Sequence, residues 1–393
     1  MPDAPGVSEG GATRGSRIRI LDATGDDPRA WDELAVRSPR GEAFQSHAWG
    51  ERKRVTGWQP RRYRIVDDDG PLAVVSFQER DLLGALSRRL PTAAARSLAA
   101  RLPHLRLGYA PNGPVLLRDG TSAARATLLA LARIARARRA GLLLVEPFWE
   151  AGSAEAAALE GAGFRAARRP IQIATTGMLV PLEASDEAQR RLLNENVRRN
   201  LGRAQKLGVE VVQLHASAQP SRLEEALAAA YEMVRLTGER RGFAARLRAP
   251  EDHNAGQVAL IRSGVASLWM AYHEGQPVAH ALVHHNGQRA FLFQAGESRS
   301  DPRRPPANFA LQWSVLRWAA GEGFRDYDLG GVDDHEARGL PEDERHPMWN
   351  LYRFKSQWGA RPVQTCGAQE YATWQVLGDL VNRAWAARDR ARD

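Results

Sequence analysis

Two stretches of the sequence share one organisation: RRYRIVDDDGPLAVVSF at residues 61–77 and ASLWMAYHEGQPVAHAL at residues 266–282. Each places an apolar run on either side of an acidic residue and a glycine, at residues 69–70 and 274–275. This pattern predicts two β-hairpins, because the glycine provides the positive φ that a tight turn requires. After the second hairpin, an Asn-Gly pair predicts a further turn into a third strand.

Each predicted hairpin is followed by a long helix and a short strand. Residues Ala123–Arg138 carry apolar side chains at helical spacing and precede Gly141 and the strand sequence LLLVEP. Residues Ala307–Ala320 do the same before Gly323 and the sequence FRDYDLGG. A helix that ends near a glycine and leads into an apolar strand is typical of a helix packed on a sheet. The repeated order predicts a mixed α/β protein with two copies of one domain.

The segment between the two copies is more polar. Residues Asp186–Leu207 predict one basic helix, and a second helix is expected from Ser221, its predicted N-cap, to Arg241. Further on, Gly330–Pro347 predict a long acidic loop. Loops of this length are commonly functional.

The length of 393 residues exceeds one ordinary hydrophobic core, so two domains are expected. We predict a flexible leader at residues 1–16, a first domain at 17–174 and a second domain at 175–365. The C-terminal segment 366–393, with a helix at Trp374–Ala387, is expected to return and complete the first domain.

The composition, with 43% apolar and 26% charged residues, fits a soluble globular protein. No apolar run reaches the length of a transmembrane helix, and the N-terminus lacks the apolar stretch of a signal peptide. Cys366 is the only cysteine, which excludes internal disulfides and thiolate metal sites and indicates the cytoplasm. The net charge of +9 suits RNA, phosphorylated substrates or an anionic membrane, although an arginine-rich solvated surface explains it more simply.

Six segments are similar, in this order, to sequences of the FemABX family. They are FQSHAWGERK (44–53), YAPNGPV (109–115), NVRRNLGRAQKLGVEV (196–211), YEMVRLTGERRGFAAR (231–246), YDLGGV (327–332) and LYRFKSQWGARPV (351–363). The resemblance implies two tandem domains of the kind found in GNAT acetyltransferases. Some relatives carry a long coiled-coil insertion in the second domain, and we expect it to be absent here, because residues 186–252 leave no room for heptads.

The activity that the resemblance implies is FemX-like aminoacyl transfer. A small amino acid, such as Gly, Ala or Ser, would move from aminoacyl-tRNA to the stem-peptide amine of a peptidoglycan precursor, UDP-MurNAc-pentapeptide or lipid II. This aminolysis of an ester requires no cofactor and no metal. The implied partners are aminoacyl-tRNA and the phosphorylated precursor, with a peripheral contact at the inner membrane face.

Three alternatives stay open at this point. The chain could be a related transferase that acylates a small natural product or another amine. It could be a CoA-dependent N-acyltransferase on the same fold. From a different class, it could be an inactive GNAT-like binding module, against which the intact Phe-Lys motif argues.

The catalytic residues implied by the resemblance are Lys355 and Phe354 in LYRFKSQWG. A fixed ammonium at Lys355 would stabilise the oxyanion that develops as the amine attacks the ester, and the backbone next to it would add a donor. The alternative is a surface lysine at the entrance of a strand.

Lys53 and Arg246 match family positions that hold the phosphates of a nucleotide-linked or lipid-linked precursor. Both residue types suit a diphosphate. Lys53 also lies in a basic cluster at residues 52–54, so a solvated basic surface is an alternative. Several arginines between residues 240 and 248 leave the register of the second match open.

Further substrate-binding residues are implied in the loop YAPNGPV and on a strand of the second domain. They are Tyr109, Asn112, Gly113 and Phe291. The sequence departs from the family pattern at several positions, so the loop is not expected to have an acid/base role, and acceptor recognition is expected to differ from that of the best-known members. These departures are at Asn112, Leu117, Phe291 and Pro250.

Other patterns are weaker. Three histidines in VAHALVHH, residues 278–285, are expected to be packed or exposed and not metal ligands, because side chains alternate between the faces of a strand. RNLGRA at residues 199–204 fits the pyrophosphate pattern of acetyl-CoA enzymes, but it is predicted inside a helix and not at a helix N-terminus. The basic face of that helix suits tRNA phosphates or solvent equally well.

Overall fold

The computed structural model describes residues 17–82, 105–242, 244, 247–298, 305–333 and 339–390. These residues form two β-sheets, one of eight strands and one of seven, with helices packed on them. The mixed α/β fold predicted from the sequence is confirmed.

The first sheet contains strands from the first half of the chain and one from its C-terminal part. They are β1 (Arg19–Asp22), β2 (Gln59–Asp67), β3 (Gly70–Asp81), β4 (Arg106–Ala110), β5 (Val115–Leu116), β6 (Ala140–Val145), β7 (Arg165–Ala166) and β15 (Gln369–Ala372). Their spatial order is β1-β2-β3-β4-β6-β15-β7, and β5 pairs with β3. The helices that accompany this sheet are α1 (Pro28–Ala35), α2 (His47–Arg54), α3 (Thr121–Ala137), α4 (Ala154–Gly161) and α11 (Gln375–Arg390).

The second sheet is formed by the middle of the chain. Its strands are β8 (Thr176–Pro181), β9 (Glu210–Leu214), β10 (Ala266–His273), β11 (Gln276–Asn286), β12 (Arg289–Glu297), β13 (Asp326–Gly331) and β14 (Arg361–Gln364). Their spatial order is β14-β8-β13-β12-β11-β10-β9. The helices of this region are α5 (Asp186–Leu192), α6 (Glu195–Lys206), α7 (Pro220–Arg241), α8 (Pro250–Arg262), α9 (Ala307–Gly321) and α10 (Trp349–Ser356).

The internal repeat of the sequence appears as a repeat of topology. In the first sheet, the hairpin β2-β3 is extended by antiparallel β4, and helix α3 leads to β6, which runs parallel to β4. In the second sheet, β10-β11, β12, α9 and β13 follow in the same order and directions. Both predicted hairpins, the third strand and both long helices are confirmed.

The two long helices bury the apolar face that their spacing predicts. On α3, Leu128 and Leu131 are fully buried against the first sheet. On α9, Leu311 and Leu316 are fully buried in the core of the second sheet. Each such side chain contributes about 1.5–3 kcal/mol by leaving water, so packing rather than local propensity holds these helices in place.

Two helix predictions need correction. The single helix predicted at residues 186–207 is two helices, because the side chain of Asn194 accepts a hydrogen bond from the Val197 amide and begins α6 there. The predicted N-cap of the next helix, Ser221, lies inside α7. This helix begins one residue earlier, at Pro220, and its cap residue Gln219 makes no capping hydrogen bond through its side chain.

The C-terminal part of the chain joins the first sheet. Strand β15 lies between β6 and β7 and is antiparallel to both. Helix α11 follows it and buries Val381 and Trp385 in a cluster with Trp58 and Leu107. The domain boundaries given above stay a prediction.

Candidate active site

The two parallel strand pairs of the molecule end differently. In the first sheet, β4 and β6 pair along Arg106–Ala110. In the second, β12 and β13 pair only along Arg289–Phe291, although both strands continue. The ladder between β13 and β8 is irregular between Asp328 and Gly331, and Gly330 has φ +80°. A cleft therefore opens at the carboxyl ends of β12 and β13, where open α/β sheets bind ligands.

Lys355 lies at the base of this cleft. It is a residue of helix α10 and is only 6% exposed. Its Nζ donates a hydrogen bond to the carbonyl oxygen of Gly331 at 2.7 Å, and a Cβ added to Gly330 would lie 3.6 Å from Nζ. A buried ammonium on a helix is not a surface lysine at the entrance of a strand, so that alternative is wrong.

Two cavities meet the Lys355 region. The cleft cavity, of about 620 Å³, is lined by Lys355 and by residues of α7, β12, α9 and α10. The interface cavity, of about 280 Å³, is lined by Gly331, which accepts the Lys355 hydrogen bond, by other residues of the second sheet and by segments next to the first sheet. Lys355 therefore lines the cleft cavity and is hydrogen-bonded to a residue that lines the interface cavity.

Two of the predicted site residues are aromatic walls of these cavities. Phe354 lines the cleft cavity, with its ring centre 5.7 Å from that of Phe309. Phe291 lines the interface cavity, with its ring centre 6.3 Å from that of Phe44. The catalytic role of the Phe354 backbone and the substrate contact of Phe291 stay predictions.

The loop with the sequence YAPNGPV turns sharply beside the interface cavity. Asn112 has a left-handed backbone with φ +46°, and the Gly113–Pro114 peptide bond is cis. A Cβ at Gly113 would lie 2.5 Å from Nε2 of Gln45, so only glycine fits there without a shift. The Asn112 side chain lines the interface cavity and donates from Nδ2 to Oε2 of Glu42 at 3.0 Å.

Tyr109 supports this loop from below and is fully buried. Its hydroxyl donates to Oε2 of Glu146 at 2.5 Å. Burial, followed by the charge of Glu146, raises the pKa of Tyr109 far above its ordinary value, so the hydroxyl keeps its proton. Burial also raises the pKa of Glu146, and hydrogen bonds from Tyr109 and the amides of Gln172 and Ile171 oppose this effect. Glu146, and not Tyr109, lines the interface cavity.

Lys53 lies in the last turn of α2, with Nζ 4.9 Å from the centre of the Trp49 ring. Burial, followed by the charges of Arg52 and Arg248, lowers the pKa of Lys53 to about 8. Burial and Arg248 lower the pKa of Arg52 to about 10. A bound anion would remove the repulsion among these cations. Arg246 lies outside the described residues, so from its segment it is Arg248 that the structure places near Lys53.

Sequence analysis missed a buried ion network between the two sheets. The Arg289 guanidinium donates from Nη2 to Oε1 of Glu42 at 2.6 Å, and its Nη1 lies 3.1 Å from Oδ2 of Asp328. Its Cζ is 3.4 Å from the centre of the Phe148 ring. Burial raises the pKa of Glu42 and of Asp328, and Arg289 opposes both shifts. The YDLGG segment contains Asp328, but no local pattern connects residues 42, 289 and 328.

The remaining sequence patterns have structural explanations. His280 and His284 are fully buried in strand β11, and burial lowers the pKa of His280 to about 3. In the part of the chain that the structure describes, no cluster of three or more His, Cys, Asp or Glu side chains has the arrangement of a metal site. RNLGRA lies within helix α6, as predicted. None of the described helices is both long enough and apolar enough to cross a membrane.

Known proteins support this description. The acetyltransferase (GNAT) domain family matches residues 191–338. Lipid II:glycine glycyltransferases from Staphylococcus saprophyticus and Staphylococcus aureus are each 22% identical, over 90% of this chain and 93% of the relative. The crystal structure of FemX superposes with a TM-score of 0.72 at 20% identity, covering 92% of this chain and 99% of FemX.

A protein of unknown function from Bacteroides thetaiotaomicron superposes with a TM-score of 0.52 at 12% identity, over 90% of this chain and 99% of that one. The predicted tandem GNAT-like fold is confirmed by the FemX structure and the GNAT domain. The glycyltransferase relatives and that domain also confirm the prediction of an enzyme that transfers aminoacyl groups.

Proposed function

Since the chain resembles the FemABX family over nearly its whole length, we propose that it transfers an aminoacyl group from aminoacyl-tRNA to the stem-peptide amine of a phosphorylated peptidoglycan precursor in the cytoplasm. The observation that carries the proposal is the position of the Lys355 ammonium, which is buried at the separated ends of β12 and β13, lines the cleft cavity and is bonded to Gly331 of the interface cavity. A transfer between two large substrates requires such a meeting point.

The chemistry is the aminolysis of an ester. The neutral acceptor amine attacks the aminoacyl carbonyl carbon, a C–N bond forms, and the C–O bond to the tRNA ribose breaks. One proton leaves the amine and one is gained by the ribose oxygen. The Lys355 ammonium stabilises the negative charge on the carbonyl oxygen in the tetrahedral intermediate. This interaction is stronger than the interaction of the same ammonium with the neutral ester.

The cleft cavity suits the donor. Arg240 of α7 lines it, and so does Asn308 in the first turn of α9. The N-terminus of a helix carries a partial positive charge, which favours a phosphate of the tRNA end. The basic face of α6 would contribute further phosphate contacts.

The interface cavity suits the acceptor. Asp328 and Glu146 line it, and carboxylates favour an approaching amine. Lys53 lies close enough to Glu146 for the two charges to interact, so a diphosphate held by Lys53 and Arg246 would direct the stem peptide towards this cavity. Tyr109, Asn112, Gly113 and Phe291 would then shape the path of the peptide.

The decisive experiment incubates the protein with charged total tRNA and either UDP-MurNAc-pentapeptide or lipid II, followed by mass spectrometry of the acceptor. We expect a mass increase of one small amino acid, which RNase treatment of the donor abolishes. Acylation by acetyl-CoA alone, unaffected by RNase, would instead establish the CoA-dependent alternative on the GNAT fold. Comparison of the two precursors identifies the acceptor.

A peripheral contact with the inner membrane face is part of this proposal. Trp374 and Val376, at the start of α11, are 74% and 73% exposed, and Leu380 one turn further on is 44% exposed. The half-exposed Arg168 forms an ion pair with Asp379 of this helix, and both Arg168 and the half-exposed Arg165 pair with Glu370 of β15. Tryptophan, aliphatic side chains and arginine on one surface are typical of interfacial membrane contacts.

The membrane contact is tested by vesicle sedimentation. The triple variant Trp374→Ser/Val376→Ser/Leu380→Ser should lose binding to phosphatidylglycerol vesicles and keep its transfer to UDP-MurNAc-pentapeptide. Val55→Ser, which removes an equally exposed apolar side chain elsewhere, is the control. Unchanged vesicle binding, or a wild-type dimer that the triple variant dissociates, would contradict the membrane contact.

A further inference from the structure

The buried ion network between the sheets reaches the Lys355 anchor through one side chain. Asp328 uses Oδ2 for the ion pair with Arg289, and its Oδ1 accepts a hydrogen bond from the Gly330 amide at 2.8 Å. The next carbonyl, that of Gly331, accepts the hydrogen bond of the Lys355 ammonium at 2.7 Å. The carboxylate of Asp328 thus fixes the short backbone segment to which the lysine is bonded.

The other end of the network reaches the acceptor side. Glu42 bonds to Arg289 through Oε1, and its Oε2 accepts hydrogen bonds from Nδ2 of Asn112 at 3.0 Å and Nδ2 of Asn286 at 2.8 Å. Asn112 belongs to the loop that lines the interface cavity. One guanidinium therefore lies between a loop of the first sheet and the lysine anchor of the second.

The charges make Arg289 the critical member of the network. Glu42 and Asp328 are each less than a tenth exposed, and the Arg289 cation is the shared partner of their carboxylates. Removing Arg289 would leave Glu42 without its ion-pair partner and Asp328 with only the charge of Lys355, so the two carboxylates would rearrange or take up protons. A rearranged Asp328 would release the Gly330 amide and with it the direction of the Gly331 carbonyl.

We propose that Arg289 is a positioning residue of the transfer reaction, which holds the Lys355 ammonium in register with the acceptor loop through Asp328 and the Gly330–Gly331 segment. The inference rests on the proposed function, because it assumes that Lys355 acts on the transferred carbonyl. Arg289 itself performs no chemical step. Its contribution is the fixed distance between the acceptor amine and the lysine, to which turnover is sensitive.

A double-mutant cycle separates this role from a merely structural one. Arg289→Gln in the wild-type background should lower kcat by about tenfold or more, within the range of coupling energies in buried networks. In the Lys355→Met background, the same substitution should lower the residual kcat by less than about threefold, because the group that Arg289 positions is gone. Thermal unfolding of all four proteins shows whether the loss of stability is the same in both backgrounds.

Two further variants keep the test decisive if Arg289→Gln folds poorly. Asp328→Asn preserves size and removes the charge, and it should show the same dependence on Lys355. Arg138→Gln is the matched control, because Arg138 forms an ion pair with the buried Glu79 in the first sheet, outside the network. It should reduce stability and leave kcat within about twofold of the wild type.

The outcomes are distinguishable. If Lys355→Met lowers kcat and Arg289→Gln then causes equal further losses in both backgrounds, the positioning role is wrong and the proposed function stands. If Lys355→Met leaves kcat unchanged, both the mechanism and this inference fall.

Discussion

The parallel pairs β4/β6 and β12/β13 are equivalent elements of the internal repeat, and only one of them forms a cleft. In the first pair, pairing continues to Ala110, and the hydrogen bond from Tyr109 to Glu146 closes the end with side chains. In the second, pairing stops at Phe291, and the Lys355 ammonium occupies the gap. One copy of the domain therefore has a packed strand end, and the other has an open strand end with a cation in it.

The difference lies in the residues at and beyond the ends of β6 and β13, the last strands of the two repeats. Beyond β6, the carboxylate of Glu146 accepts hydrogen bonds from the amides of Ile171 and Gln172. The backbone at residues 171–172 is therefore held at the end of this sheet. On β13, Gly330 and Gly331 turn the chain away, and a helix brings Lys355 to the exposed carbonyl. Duplication of a fold supplies two such strand ends, and a few residues decide which one opens.

The largest expected effect comes from removing the cation of the open pair. Lys355→Met keeps the length and apolar stem of the side chain but deletes the charge. We expect kcat to fall by a hundredfold to a thousandfold, about 2.7–4 kcal/mol, the usual cost of losing one oxyanion donor. Lys355→Arg should recover little, because a planar guanidinium does not present its charge as a compact ammonium does.

Single-turnover kinetics at saturating donor and acceptor measure this effect. Arg353→Met, an exposed neighbour on the same helix, is the control and should behave like the wild type. A Lys355→Met protein that turns over at the wild-type rate would mean that both strand ends are structural.

A substitution in the basic cluster at Lys53 tests whether the first domain contributes to acceptor binding and not to the chemical step. Lys53→Ala should weaken acceptor binding by about 1.5–3 kcal/mol, the value of a hydrogen bond to a charged group. The acceptor KM should therefore rise by about tenfold to a hundredfold, with kcat little changed. The effect should nearly vanish with a phosphate-free stem peptide. Arg54→Ala, on the same turn but paired with Glu51, is the control. Equal losses with both acceptors would exclude phosphate contact.

The lowered pKa of Lys53 gives this binding a pH dependence. The ammonium attracts phosphate only while it is protonated, and its pKa in the free protein is about 8. Acceptor affinity should therefore be constant below that pH and fall by up to tenfold per pH unit above it. Lys53→Ala should abolish this slope in a titration of acceptor binding between pH 7 and 9.5.

Alanine substitutions at two glycines compare the packing of the two strand ends directly. A Cβ at Gly108, in the closed pair, would lie 2.4 Å from Cζ of Phe77, so Gly108→Ala should cost about 1–3 kcal/mol of stability by overpacking. Gly330→Ala, in the open pair, places a side chain at φ +80° and should cost about 1 kcal/mol. We expect kcat to fall severalfold only in Gly330→Ala.

Urea unfolding and kcat, measured on both glycine variants, provide the comparison. A loss of kcat in Gly108→Ala that matches the loss in Gly330→Ala would mean that the closed pair takes part in catalysis.

An effect on stability alone, with none expected on kcat, distinguishes the sheets by their response to acid. Strand β11 carries the buried His280, whose pKa is lowered to about 3, whereas the described strands of the first sheet contain no histidine. The unfolded chain binds a proton at this side chain below pH 6.5 and the folded chain does not, so stability is lost as pH falls from 6.5 towards 3. Between pH 7 and 5, His280→Gln should reduce the loss seen in the wild type by about 2 kcal/mol.

Much of the fold was predictable because its signals are local. The Asp-Gly and Glu-Gly corners and the helical spacing of Ala123–Arg138 each depend on a few neighbouring residues. The helix predicted at 186–207 was wrong for the same reason, since Asn194 in a polar run gives no periodic signal although its side chain begins a new helix.

The site depended on information that is not local. Lys355 and Lys53 were found only through resemblance, because a lysine in a short polar motif has no distinctive pattern. The network of Glu42, Arg289 and Asp328 was missed, since its members are far apart in sequence and meet only when the two sheets pack together.

Strand β15 has a consequence for the order in which the protein can assemble during synthesis. It fills the position between β6 and β7, yet the ribosome makes it about 200 residues after both of them. Until then, the nascent first domain carries the unpaired edge of β6, an apolar strand that can pair with other chains. The second sheet in turn is completed by β14, which ends at Gln364, shortly before β15. The two sheets are therefore completed by strands made one directly after the other, and the first domain, although it begins earlier, cannot finish before the second, which departs from the usual N-terminal-first order.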